Sequence, residues 1–95
     1  MNEGRILLIG RNPAMLALVD QHLKAAGIVG IGHLEETTLL SDLETGATRL
    51  LVIGGGVEEE LRERLRTECA KRNIAVVEHF GGPSGLVDQI RRALH

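Results

Sequence analysis

The residues able to do chemistry in this chain are few, and three glycine-rich turns hold several of them. Arg11 and Asn12 follow the apolar run RILLIG that ends at Gly10, Gly54-Gly55-Gly56 follows RLLVI, and Gly81-Gly82-Pro83-Ser84 follows IAVVEHF. Glycines just before a helix let backbone N–H groups converge on an anion. The helix dipole favours negative charge there, and an arginine can add a bidentate contact to phosphate or carboxylate. Gly10, Arg11, Asn12, Gly54, Gly55, Gly56, Gly82 and Ser84 therefore form a candidate site for a small anionic metabolite or nucleotide. Against it stand the lack of a GxGxxG pattern or a Walker lysine. Glu58-Glu59-Glu60 also begin the next helix, and these acids can occupy its positive end themselves.

The other reactive types favour plainer readings. His33 and His79 end strands that lie at opposite sheet edges, about 14 Å apart at about 4.8 Å per strand step, too far to share a zinc ion. His22 falls on a helix, His95 is terminal, and no pair has HxxxH spacing, so no metal is expected. Ser84, His79 and Asp88 could be drawn as a hydrolase set. Ser84, however, sits where an N-cap belongs, and no G-x-S-x-G elbow surrounds it. Cys69 lies on the apolar stripe of a helix and reads as an inert core thiol. No catalytic residue and no cofactor are expected.

These residues are positioned by four strand and helix units. Arg5 to Gly10, Ile28 to Leu34, Arg49 to Ile53 and Ile74 to Phe80 read as strands. The first and third are continuously apolar, as strands covered on both faces are; the second is broken by Gly30 and Gly32 and suits an edge. Asn12-Pro13 gives an N-cap and a first-turn proline, and Met15, Leu16, Val19, Leu23 and Ala26 recur at helical spacing until Gly27. Leu39, Leu40 and Leu43 mark a shorter helix ending at Gly46. In the third helix Val57, Leu61, Leu65 and Cys69 step by four, and the pairs Glu58 with Arg62, Glu60 with Arg64 and Glu68 with Arg72 support its wet face. Leu86, Val87, Ile90 and Leu94 mark the last helix, near whose end Arg91-Arg92 complement the dipole.

Strands alternating with helices through short links imply right-handed crossovers. The expected fold is therefore a three-layer α/β/α (βα)4 domain with a four-stranded parallel sheet in the order 2-1-3-4, spanning residues 1–95. With 43% apolar residues but Phe80 as its one aromatic, its core must be lean, which favours oligomerisation. A formal charge of −2 and the lack of stacking aromatics argue against nucleic acid. A single cysteine, no signal-peptide pattern and no bilayer-length apolar run point to the cytoplasm, away from membranes.

RILLIGRNPAMLALVDQHLKAAG, read as strand, turn, proline and amphipathic helix, resembles the opening of response-regulator receiver domains, and VVEHFGGPSGLVDQIRRAL resembles their final strand and helix. The resemblance implies a flavodoxin-like (Rossmann-like) signalling scaffold, shortened from five units to four. Receivers hold magnesium with an acidic pair, accept phosphate on an aspartate ending strand three, and answer with a hydroxyl and a lysine. Gly10 and Arg11 stand at the acidic-pair position, Gly54 at the aspartate position, and Glu78 or His79 near the lysine position. The implied protein is a degenerate, non-catalytic interaction module that cannot be phosphorylated at that site. Its expected partner is a second copy or another protein. The edge run Ile74-Ala75-Val76-Val77, with Val76, Leu86 and Ile90 as contact residues, is the expected homodimer face.

Overall fold

The computed structural model describes residues 4–79 and 84–94. Its elements alternate in chain order as β1 (Arg5–Ile9), α1 (Pro13–Ala25), β2 (Gly30–His33), α2 (Glu36–Glu44), β3 (Thr48–Gly54), α3 (Glu59–Lys71), β4 (Ala75–His79) and α4 (Leu86–Ala93). The four strands form one parallel sheet in the order β2-β1-β3-β4. The architecture is therefore the expected (βα)4 three-layer arrangement.

The pleat divides the core in two. Leu7 and Ile9 of β1 and Leu51 and Ile53 of β3 point to one face, where they meet Leu39 and Leu43 of α2 and Leu61, Leu65 and Cys69 of α3. Their alternates Ile6, Leu8, Leu50 and Val52 point to the other face, against Val19 and Leu23 of α1 and Leu86 and Ile90 of α4. Ile6 to Ile9 of β1 and Leu50 to Ile53 of β3 are continuously apolar because each of these residues is buried on one side of the sheet or the other. The glycines of β2 admit a helix closely: a Cβ on Gly30 would sit 3.1 Å from Leu8 Cδ1 and 3.3 Å from Leu23 Cδ1.

Local chemistry sets the ends. Asn12 caps α1 by accepting the Met15 amide at 3.2 Å, with Pro13 in the first turn. Gly27 leaves that helix at φ +78°, a conformation that costs glycine little. α4 departs from expectation, because its N-cap is Gly85 at φ 79°, while Ser84 is exposed and makes no cap. The last residue of the expected fourth strand, Phe80, and the turn residues Gly81, Gly82 and Pro83 lie outside the described residues, as does His95. Among the described residues no helix is long and apolar enough to cross a membrane.

Candidate functional site

Because β1 and β3 are neighbours while their helices depart to opposite faces, the loops at their carboxyl ends diverge and leave a crevice at the switch point. A half-open cleft of about 130 Å³ lies there. Gly10, Arg11 and Asn12 form one wall and Gly54, Gly55 and Gly56 another, so the structure brings together six of the eight candidate ligand residues. Gly82 falls outside the described residues, and Ser84 is exposed and not part of this lining. The remaining lining was not legible as a site in the sequence. Met15, Leu16 and Val19 come from α1, Val52 from β3, His79 from β4 and Leu86 from α4. The helical spacing of Met15, Leu16 and Val19, like the apolar run around Val52, reads as core, and only the divergence of the loops turns part of that core into a lining.

The charged groups around the cleft are bound to each other. Arg11 donates from Nε to Glu58 Oε1 at 2.9 Å, from Nη2 to Glu58 Oε2 at 3.1 Å and from Nη1 to the Leu34 carbonyl at 2.8 Å. One side chain thus ties together the loops that follow β1, β2 and β3. The hydrogen bond to Arg11 holds the Glu58 carboxyl below its usual range, and the Arg11 guanidinium is raised by the same contact. Glu58 is the N-cap residue of α3 and Glu59 and Glu60 fill its first turn, so the positive end of that helix already faces carboxylates. An anion at Arg11 would have to displace an internal carboxylate.

A second arginine shapes the loop from below. Arg62 does not stay on the wet face of α3: only 3% of it is exposed. Its Nε donates to the Val57 carbonyl at 2.8 Å, its Nη2 to the Gly54 carbonyl, and its Nη1 to Glu78 Oε1 at 2.9 Å. Of the other expected helix pairs, Glu68 and Arg72 meet at 2.7 Å, whereas Arg64 reaches across to Glu36 of α2 at 3.0 Å, which raises the Arg64 guanidinium. The isolated helix cannot reveal such choices, because the competing acids belong to other elements.

The two histidines at the strand ends have structural partners. His79 Nδ1 hydrogen-bonds the Gln89 amide oxygen, joining β4 to α4, and Asp88 is exposed. His33 sits between Thr38 Oγ1 at 3.0 Å on Nδ1 and Asp42 Oδ2 at 2.8 Å on Nε2, and Asp42 also meets Arg5 at 3.5 Å. This network fastens β2 to α2; the i,i+4 spacing of Thr38 and Asp42 was its one sequence signal. Cys69 is fully buried, and burial pushes its thiol up to about 11. Among the described residues no three His, Cys, Asp or Glu side chains are grouped to hold a metal.

The expected homodimer face requires correction at two positions. Leu86 is 2% exposed and Ile90 0%, both packed against β3 and β4 in the monomer's own core, while Val76 is partly buried beneath α3. Ile90→Glu would therefore unfold the domain rather than split a dimer, since it buries an unpaired charge. The backbone edge of β4 faces away from β3, but the side chains invoked to cover it point inward.

Fold and site define a parallel α/β/α domain of four units with a small apolar cleft at its switch point. The chain matches no protein-family model, no curated protein and no solved structure.

Proposed function

We propose that this domain is a non-catalytic, receiver-like interaction module that works through protein contacts at the carboxyl edge of its sheet. The observation that carries the reading is the size and lining of the cleft. Pockets that enclose metabolites or nucleotides run to about 300–1,000 Å³, whereas this cleft holds about 130 Å³. That is close to the roughly 150 Å³ of an apolar cavity that takes one benzene, so the cleft fits a single apolar side chain of a partner. A nucleotide would lie outside it, and its phosphates would compete with Glu58 for Arg11.

The phosphotransfer chemistry of receivers is not available to such a module. Gly54 and His79 are paired neighbours at the ends of β3 and β4. A Cβ on Gly54 would lie 3.3 Å from the Ile9 carbonyl, so the position suits glycine and crowds an aspartate. The expected result of acetyl phosphate with magnesium is an unchanged intact mass.

An amide-resolved NMR titration with phosphate, nucleotides and small carboxylates tests the reading. Silence at Arg11 and Gly54 to Gly56 is the expected outcome. Saturable shifts centred on those residues would replace it with the second reading, a domain for a small anionic ligand, which the convergence of six candidate residues favours.

A further inference from the structure

In a parallel α/β sheet every helix runs against the strands, so all four helix N-termini lie at the carboxyl edge and all four C-termini at the other. The charges follow that polarity. Glu35 and Glu36 open α2, Glu58, Glu59 and Glu60 open α3, and Asp88 lies in the first turn of α4; Arg64, Arg11 and Arg66 pair with Glu36, Glu58 and Glu59, so the excess negative charge of this edge rests on Glu35, Glu60 and Asp88. At the opposite edge Lys24 lies in the last turn of α1, Lys71 in that of α3, and Arg91 and Arg92 in that of α4, and these four cations outnumber the acids of the last turns, Asp42 and Glu44 of α2 and Glu68 of α3. A helix of 13 residues separates the two edges by about 20 Å, so the domain is acidic at one end and basic at the other.

Each end also carries an apolar feature. The acidic end holds the cleft, with Met15 at its rim 37% exposed. At the basic end Val29, in the link between α1 and β2, is 73% exposed, more than any other large apolar side chain described. Val29 immediately precedes Gly30, the residue of β2 that pairs with Ile6 near the start of β1, whereas the cleft opens beyond Ile9 at the end of β1. Knob and hole therefore face opposite directions and cannot meet within one molecule.

We propose that the domain associates with itself head to tail, the basic edge of one copy meeting the acidic edge of the next and Val29 entering the cleft beside Met15. This deepens the interaction reading above, on which it rests, by naming the partner as a second copy of this chain. Charge complementarity sets the orientation, and the apolar contact sets the register. Such a contact is heterologous. It leaves a free knob and a free hole on every open assembly, so species grow with concentration, as a filament or until a ring closes, instead of stopping at a two-fold dimer.

Two surface substitutions test this by sedimentation. Val29→Asp removes the knob from an exposed link and sets a carboxylate against the acidic edge, so it is repelled by the glutamate of the second variant as well. Met15→Glu places a charge at the hole, and it occupies the third position of α1, where a glutamate complements both the Asn12 cap and the helix dipole, so the fold is retained. Wild type is expected to gain mass steadily from dilute to near-millimolar concentration. Each variant alone is expected to associate roughly ten- to hundredfold more weakly, as expected from withdrawing one aliphatic side chain from an apolar contact. An equimolar mixture is expected to form a dimer that grows no further, because the first variant keeps the hole and the second keeps the knob.

Monomeric wild type, variants that associate like wild type, or a mixture no larger than its components would each overturn the head-to-tail proposal. If the anion titration stays silent in that event, the broader interaction reading survives; if it saturates at Arg11 and Gly54 to Gly56, both fall together.

Discussion

Arg62 carries a full charge in a place where water barely reaches, and its three engaged nitrogens explain why. Two of its acceptors are carbonyls of the loop that forms one wall of the cleft, and the third is a carboxylate on β4. Arg62 is therefore a positioning residue for the Gly54–Val57 turn. Truncation to Ala takes the donor from two carbonyls and leaves Glu78 to Arg66, which it meets at 3.5 Å, and breaking a buried pair costs about 3–5 kcal/mol. Glu78 keeps 30% of its side chain exposed, which places the loss at the lower end of that range. Urea unfolding of Arg62→Ala measures it, and a lysine should not restore the lost stability, since one ammonium cannot span the three acceptors of a guanidinium fork. Cys69 gives a second expectation. Burial raises its thiol from 9.0 in the unfolded chain to about 11 in the fold. Stability from this group is whole below pH 9 and is lost as pH rises towards 11, because the unfolded state releases the proton first. The wild-type stability should therefore fall more steeply than that of Cys69→Ala across that window, by up to roughly 2–3 kcal/mol. Parallel slopes for the two proteins would show that the thiol titrates alike folded and unfolded.

At the scale of elements, α1 is the helix whose start matters most to the cleft, since Asn12, Met15 and Leu16 all line it. The Asn12 side chain satisfies the Met15 amide, so Asn12→Ala should cost about 1 kcal/mol while Asn12→Asp keeps the cap. Thermal unfolding of both variants distinguishes a cap from a bystander. This element was fully legible in the sequence, because Asn-Pro and a terminal Gly27 are local signals acting on their own helix. The strand order was legible for a related reason: right-handed crossovers through short links leave few arrangements. Ser84 was misread because its type suits a cap, yet a left-handed Gly85 begins α4 instead. The interface residues were misread because periodicity marks Leu86 and Ile90 as apolar without saying whether the sheet or a partner covers them. The candidate site was half legible. Its glycine loops are visible as clusters, but the pairing of Arg11 with Glu58 spans 47 residues and depends on where two loops come to rest.

For the molecule as a whole, the division of the core has a consequence for how it unfolds. The two apolar clusters lie on opposite faces, one beneath α1 and α4 and one beneath α2 and α3. They are not independent, because β1 and β3 supply alternate residues to both and form the middle of the sheet. A domain of 95 residues has a total stability of only about 5–14 kcal/mol. Leu51 is fully buried on the α2 and α3 face, and truncating such a leucine to Ala costs about 2–5 kcal/mol. That loss cannot stay on one face, since a β3 that detaches takes Leu50 and Val52 out of the other cluster with it. In Leu51→Ala, methyl signals of Leu61 beneath one face and Leu23 beneath the other should lose their native positions at the same, lowered urea concentration. If Leu23 instead kept the wild-type midpoint while Leu61 moved, the layers would unfold separately and the shared central strands would not be what couples them.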